Sequence, residues 1–190
     1  MDQLATLESA VNELRRVIAA LEDSEMDTPT CCQPWTVRQL ASHALNSQLL
    51  WVGLLTGEET VSVEDTMGGV PYGGDLVPIA DDAATRAVAT WGADGVLEGM
   101  HSTPLGEAPG TTFVNFPTID AFAHSWDIST ALGRPIEFAP EAIAAISMVV
   151  EAACTDATRS LGFFAAATEP PADATDTERL MAATGRAVDR

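Results

Sequence analysis

The sequence predicts an all-α protein, an antiparallel bundle of four main helices with long crossover connections and a short C-terminal helix. Several segments repeat apolar residues at helical spacing, and capping residues, glycines or prolines bound them. No segment shows the alternation typical of strands. A chain of 190 residues that is 46% hydrophobic can bury one sizeable core. We therefore expect a single domain over residues 1–190.

The first two helices carry the clearest signals. Steps of three and four residues define one apolar stripe near the N-terminus, formed by Leu4, Leu7, Val11, Leu14, Ile18 and Leu21. The turn-rich stretch 27–30 ends this helix. The second helix is predicted to begin after Thr36, which forms a capping-box pattern with Gln39, and to stop at Gly57.

Two long connections separate the central helices. Residues 58–78 are rich in glycine and proline, and a loop of this length is usually functional or mobile. Its segment 66–74 either covers the mouth of a site or is a passive crossover. A third helix is predicted from Asp81 or Asp82 to about Leu97. The second connection, 101–117, is expected to contain a short extended piece at 111–116.

The C-terminal third of the chain predicts more helix. The fourth helix should run from Thr118 to Leu132, where Gly133 and Pro135 follow as stop signals. The fifth is predicted over 140–161, because Pro140 suits the first turn of a helix. The tail should be a loop with one short helix within 175–185.

The net charge of the chain excludes two classes of binding partner. Twenty-eight acidic residues face nine basic ones, which are all arginine, so the net charge is −19. Binding to nucleic acid or to an anionic membrane needs clustered lysine and arginine, so neither partner is expected. The N-terminus lacks the basic start and the following apolar run that would indicate a secretory signal. The longest apolar stretch of the chain is too short to span a bilayer.

The cysteines agree with a cytoplasmic protein. Their number is odd, and two of the three, Cys31 and Cys32, are neighbours, which rarely pair with each other. Reduced thiols packed in the interior are the preferred interpretation for both and for Cys154. The four tryptophans are expected in the core. An apolar stripe outside the bundle would support a homodimer, which the pattern leaves open.

The candidate chemistry centres on histidine. His124 follows Asp120 by four residues, so both project from one helix face, where an imidazole and a carboxylate can hold one metal ion. His43, on the second helix, could complete the site from a facing helix. The pair could equally be a hydrogen bond on a solvated face. Asp127 could accept the other N–H of His124 or serve a structural role.

For several other polar residues, a functional role and a purely structural role both stay open. His101 lies in a glycine- and proline-rich connection, where it is either an exposed loop residue or part of a lid. Arg38 and Arg86 could hold a substrate carboxylate, although a surface role is the simpler interpretation. Cys32 lies near a helix N-terminus, but no histidine base is close to it in sequence. The chain has no lysine for a Schiff base.

Three segments carry a family resemblance. Residues 30–40 with His43 resemble the "TPC-x-x-W-x-V-x-x-L-x-x-H" opening of the mycothiol-dependent maleylpyruvate isomerase N-terminal family, one of the DinB-like metal-binding bundles. Residues 120–135 resemble its "E-x-x-x-H-x-W-D-L-x-x-A-x-G-x-P" segment. Residues 177–186 resemble the closing "E-R-L-L-A-x-x-G-R" of a short branch of the family.

The resemblance implies a DinB-like four-helix bundle with a divalent metal, commonly zinc, on His43, Asp120 and His124. The family usually has glutamate where this chain has Asp120. Two imidazoles and one carboxylate leave a coordination position open, and they suit nickel, cobalt, iron or manganese as well as zinc. The expected partners are a small-molecule thiol such as mycothiol and an electrophile.

Three functions fit these expectations. The first is a thiol S-transferase or isomerase, in which a metal-held thiolate attacks a small electrophile. The second is a metal-dependent hydrolase acting through a bound water. The third is a bundle that binds a metal or a small molecule without turnover.

Overall fold

Residues 1–188 are described in a computed structural model of the chain. The helices of the N-terminal half are α1 (Gln3–Ala19), α2 (Val37–Thr56), α3 (Val63–Met67) and α4 (Val77–Trp91). A hairpin of β1 (Met100–Thr103) and β2 (Gly106–Pro109) follows. The remaining helices are α5 (Gly110–Phe113), α6 (Asn115–Ala131), α7 (Pro140–Ala153), α8 (Asp156–Ser160) and α9 (Asp176–Ala183).

Four helices form the bundle, which confirms the predicted all-α fold class. Helix α1 packs against α4 and α6, and α2 packs against the same two partners. The core between them is filled by large side chains with almost no exposed surface, among them Leu7, Leu14, Leu40, Trp91, Ile119 and Phe122. Helix α7 covers α6, and α9 packs on α7. This arrangement places inward-facing residues of α2 and α6 opposite one another.

Helix α2 begins and ends where the sequence predicts. The Thr36 side chain accepts from the backbone N–H of Gln39, and the Gln39 side chain accepts from the backbone N–H of Thr36. Gly57 ends the helix with φ of 76°, a left-handed conformation that favours glycine. Nearly every residue from Val37 to Leu49 is buried, so α2 presents side chains to the interior along its whole first half.

Helix α4 differs from the predicted third helix at both ends. It begins at Val77 because Pro78 occupies its first turn, where the missing N–H costs no hydrogen bond. It ends at Trp91, and Gly92 follows, so the predicted extension to Leu97 is wrong. The backbone turns there instead, with Gly95 at a φ of 78°.

The second long connection also differs from its prediction. Residues 100–109 form an antiparallel hairpin that the sequence did not reveal, because its residues are mostly exposed and need no apolar alternation. The extended piece predicted at 111–116 is wrong, since these residues lie in α5 and the start of α6. Gly110 allows this turn because it approaches the backbone of Val96 and Leu97 too closely for a side chain.

The predicted fifth helix is two helices. Helix α7 ends at Ala153, and Thr155 then caps α8 by accepting from the backbone N–H of Thr158. The short C-terminal helix is confirmed as α9, which Thr175 caps in the same way through Glu178. Within residues 1–188, no helix combines the length and the apolarity that crossing a bilayer requires.

Candidate metal centre

The bundle brings together the three residues that the sequence marked as candidate ligands. His43 projects from α2, and Asp120 and His124 project from one face of α6. The Nε2 atom of His43 lies 3.5 Å from Oδ1 of Asp120, and Nε2 of His124 lies 3.3 Å from the same oxygen. The two imidazole rings meet edge to face with centroids 5.0 Å apart. All three ligand atoms lie within 4.8 Å of one another.

Each imidazole is held by its other ring nitrogen. Nδ1 of His43 donates to the backbone carbonyl of Thr66 at 2.8 Å. Nδ1 of His124 donates to Oδ2 of Asp127 at 2.9 Å. When such an imidazole is neutral, its proton is on Nδ1 and the lone pair of Nε2 is on the side of Asp120. This is the tautomer and orientation that histidine metal ligands adopt.

The side chain of Asp120 has an unused coordinating atom. Its Oδ2 is buried and has no hydrogen-bond partner among the described residues. In a tetrahedral site with ligand distances of about 2.0–2.2 Å, neighbouring donor atoms lie about 3.3–3.6 Å apart. The distances of 3.3 and 3.5 Å from Oδ1 to the two imidazole nitrogens fall in that range. The cluster therefore fits a small divalent cation.

The electrostatics of the cluster show what happens without a cation. Burial disfavours charge on His124, but Asp120 and Asp127 outweigh it and raise the pKa of His124 to about 9. Burial likewise opposes charge on Asp120, yet His124 and His43 hold the pKa of that carboxyl far below its usual range. In the metal-free protein the two carboxylates therefore favour the protonated form of His124.

A second polar layer lies behind His124. Asp127 is completely buried and accepts two hydrogen bonds of 2.6 Å from the guanidinium of Arg186. Arg186 and His124 outweigh the burial of Asp127 and lower the pKa of its carboxyl. The hydrogen bond proposed between Asp127 and His124 is present. The sequence pattern assigned no role to Arg186, although this residue lies in the closing motif of residues 177–186.

The neighbouring cysteines also contact Asp127. The Sγ atoms of Cys31 and Cys32 are 3.9 Å apart, and their thiols lie 3.3 and 3.5 Å from the two carboxylate oxygens. The expectation that Cys31 is packed in the interior is wrong, because the residue is exposed. The contact with Cys31, burial and the charge of Asp127 raise the pKa of the Cys32 thiol.

The connection between α2 and α4, which contains α3, packs over His43. Besides the carbonyl of Thr66, it contributes Gly69, whose φ is 61° and whose missing side chain makes room for the indole of Trp35. The Trp35 ring in turn lies against the His43 ring, with centroids 4.7 Å apart. Trp35 is half-buried, unlike the other three tryptophans, which are buried in the core as expected.

Other predicted polar residues lie outside the cluster. His101 is in β1, where its Nε2 contacts the carbonyl of Val96, and it does not belong to the cluster of His43, Asp120 and His124. Arg38 donates to the carbonyls of Tyr72 and Gly74. Arg86 pairs with the carboxylates of Glu58 and Asp82. Both guanidinium groups therefore already have acceptors within the protein.

The sequence matches a known protein family. The profile of the family described as "Mycothiol maleylpyruvate isomerase N-terminal domain" matches residues 7–129. Two uncharacterized proteins of Mycobacterium tuberculosis, from strains CDC 1551 / Oshkosh and ATCC 25618 / H37Rv, are each 29% identical over 143 residues. Each match covers 74% of this chain and 73% of the relative.

Solved structures share the fold. The crystal structure of the mycothiol-dependent maleylpyruvate isomerase superimposes with a TM-score of 0.60 at 19% identity, covering 85% of this chain and 71% of the isomerase. A histidine-to-alanine mutant of such an isomerase gives a TM-score of 0.60 at 15% identity, covering 80% of this chain and 66% of that chain. At these identities the likeness shows the fold alone.

Proposed function

The chain belongs to the mycothiol maleylpyruvate isomerase N-terminal domain family, and on this premise we propose that it binds a divalent metal ion and activates a small thiol. His43, Asp120 and His124 are the proposed ligands. The reaction is the transfer of the thiol to a small electrophile or the thiol-assisted isomerisation of that electrophile. Zinc is the first expectation for the metal, and mycothiol for the thiol.

One observation carries this proposal. Two buried imidazoles, each fixed by its Nδ1, direct their Nε2 atoms toward the same carboxylate oxygen at 3.3 and 3.5 Å. A structural zinc site usually has four protein ligands, whereas a catalytic site has three and leaves a position for water or substrate. Three protein donors therefore favour a site that takes an exogenous ligand.

The chemistry divides between the metal and the chain. A divalent ion in this cluster would favour the deprotonated form of a thiol bound beside it. Thr66 and Asp127 would keep both imidazoles in the ligating tautomer, and Trp35 would shield the His43 ring from water. The negative charge of Asp120 would leave one net positive charge, which suits a single thiolate.

The electron balance of the reaction is simple. In transfer, the thiol sulfur forms a bond to the electrophilic carbon while the bond to the leaving group breaks, and the thiol proton passes to solvent. In isomerisation, the sulfur adds to a conjugated carbon and the π electrons move toward the carbonyl oxygen. Rotation about the resulting single bond and loss of the thiol then give the isomer, with no net oxidation.

A bundle that binds without turnover is the second candidate. The cavity next to the cluster is lined by no titratable side chain other than His43 within residues 1–188, so a separate acid or base is lacking there.

Free cysteines and a thiol cosubstrate are both suited to a reducing cytoplasm, which is the location we propose.

Metal content tests the proposed ligands. Protein purified without chelator should contain about one divalent metal ion per chain, and the double variant His43→Ala with His124→Ala should lose it. His101→Ala is the matched control, because His101 lies outside the cluster. Metal retained by the double variant would overturn the site.

Turnover tests the reaction separately. Consumption of mycothiol is measured against a panel of electrophiles, with the metal-stripped and reconstituted proteins compared. Metal-dependent consumption supports transferase or isomerase activity. Metal bound at the cluster with no consumption for any electrophile would support the binding bundle instead.

A further inference from the structure

An apolar cavity of about 160 Å³ adjoins the cluster. His43 lines it, so a molecule in the cavity would lie beside the proposed metal position. Its wall is aromatic: the Trp51 and Phe116 rings stack with centroids 5.9 Å apart, and Phe163 meets Phe116 edge to face at 6.5 Å. An apolar cavity of about 150 Å³ can hold one benzene molecule. The cavity beside His43 therefore has room for one ring.

The mouth of this cavity is unusually apolar. Four lining side chains are among the large hydrophobic residues that the described chain leaves exposed, with exposed fractions of 46% for Val63, 52% for Met67 and 39% each for Leu105 and Phe163. They come from α3, the hairpin turn and the segment after α8, which are far apart in sequence. Apolar side chains that converge around an opening from separate segments indicate a binding site.

The cavity is poorly suited to an acid. Neither an arginine nor a carboxylate lines it among residues 1–188, and its polar members are His43, Ser47 and Thr66. Every arginine in that range already donates to a carboxylate or a backbone carbonyl. The chain has no lysine, and its net charge of −19 repels anions at long range.

We propose that this cavity binds the apolar part of an uncharged electrophile about the size of one aromatic or small alkyl group. The inference deepens the proposed function, and it rests on that function for the claim that the bound molecule reacts with a thiol. It sets the specificity of this chain against dicarboxylate substrates, because no cationic side chain of the described residues lines the cavity to compensate the desolvation of two carboxylates, and the one net positive charge of the proposed metal cluster is matched by the thiolate. The uncharged acceptor would place its apolar end against Trp51 and Phe116 and its reactive carbon toward His43.

Binding of two nearly isosteric probes tests the proposal. Acetophenone is uncharged and benzoate is an anion, while their rings and volumes are closely similar. The full chain is dialysed against chelator, so that a carboxylate cannot gain affinity by ligating a metal, and both probes are titrated by ligand-observed NMR. Acetophenone should bind at least about tenfold more tightly than benzoate. Equal or tighter binding of benzoate would overturn the proposal.

Two variants locate the binding. Phe163→Ala should weaken acetophenone binding by about three- to tenfold, because it removes one wall of the cavity. Leu161→Ala is the matched control, since Leu161 is 68% exposed in the same segment and does not line the cavity. Leu105→Arg should reverse the preference by adding a cation at the mouth. Acetophenone binding that is unchanged in Phe163→Ala would place the probe elsewhere and contradict the proposal.

The outcome is independent of turnover. Acetophenone binding that responds to these variants supports the cavity even if no thiol is consumed, in which case the proposed function alone fails. Thiol transfer that occurs faster to a dicarboxylate acceptor than to its uncharged ester would support the proposed function and overturn the substrate class.

Discussion

Asp127 joins His124 to Arg186. Its Oδ2 accepts from Nδ1 of His124 at 2.9 Å and from Arg186 at 2.6 Å, while Oδ1 accepts a second hydrogen bond from Arg186. The side chain of Asp127 has no exposed surface. One buried carboxylate therefore connects a proposed metal ligand on α6 to the segment that follows α9. A change in this carboxylate should affect both the stability of the bundle and the affinity for a metal.

The variant Asp127→Asn tests this connection. It keeps the volume but leaves the guanidinium of Arg186, which is only 15% exposed, without a counter-charge, and this should lower the free energy of unfolding by about 3–5 kcal/mol. Denaturant unfolding of the metal-free protein measures the loss. Metal affinity should also fall by about 10–100-fold, because the single amide oxygen cannot accept from both His124 and Arg186 as the two carboxylate oxygens do, so the ring of His124 is held less firmly.

Asp120→Asn separates the two effects. This variant removes a proposed ligand but leaves the pair of Asp127 and Arg186 intact, so it should weaken metal binding with a smaller loss of stability. Equal stability losses in the two variants would show that the Arg186 pair has no special importance for the fold.

Metal binding should displace a proton from His124. The pKa of this imidazole is raised to about 9, so it is protonated in the metal-free protein at neutral pH. Because the metal binds the neutral ring, its apparent affinity should rise about tenfold per pH unit between about pH 7 and pH 8.5. Calorimetric titrations in buffers of different ionisation enthalpy should detect about one proton released per metal.

The same shift has a consequence for stability without metal. A pKa raised above its ordinary value near 6.5 stabilises the fold fully below that value, and the contribution is lost as the pH rises through about 9. The metal-free protein should therefore lose stability between these pH values. A His124→Gln variant, which has no titrating ring, should lack this component, and an identical profile in both proteins would contradict the assignment.

The sequence predicted the parts of the site that depend on helical spacing. Asp120 and His124 stand four residues apart on α6, so their shared face followed from periodicity, and His43 was brought to them by the antiparallel packing of α2. The hydrogen-bond partners of the two histidine Nδ1 atoms also divide into one that helical spacing predicts and one that it does not. Asp127 lies on the same helix and was anticipated, whereas the Thr66 carbonyl belongs to α3, a five-residue helix that was not predicted because the sequence around it shows no periodicity.

Features that depend on tertiary contacts were beyond the sequence pattern. The hairpin 100–109 is short and mostly exposed, so no apolar alternation marks it. Arg186 lies 59 residues from its partner Asp127, and only folding reveals their contact. Cys31 was expected to be buried because cysteines usually are, but here the loop before α2 leaves it at the surface.

Gly69→Ala should disturb the segment that packs over His43. A side chain at this position would meet the Trp35 ring at 2.5 Å, and the φ of 61° is unfavourable for any residue with a side chain. We expect a stability loss of about 1–2 kcal/mol and weaker metal binding, because Thr66 and Trp35 would both shift against His43. Thermal unfolding and metal titration measure the two effects.

Gly73→Ala is the matched control in the same loop. No atom lies within 4 Å of the position that its side chain would take. This variant should unfold and bind metal like the parent protein. A comparable loss in Gly73→Ala would show that the loop responds to any added bulk, not to the contact of Gly69 with Trp35.

Cys31 should be the most reactive of the three cysteines. The hydrogen bond from Cys32 lowers the pKa of the exposed Cys31 thiol, whereas the pKa of Cys32 is raised and burial raises that of Cys154 to about 11. Because the thiolate is the nucleophile, iodoacetamide near neutral pH should modify Cys31 first, as read by peptide mass spectrometry over time. Cys32→Ala should slow this modification by removing the donor, and Cys154→Ala should leave it unchanged. Earlier modification of Cys154 than of Cys31 would contradict the proposed interaction between the neighbouring thiols.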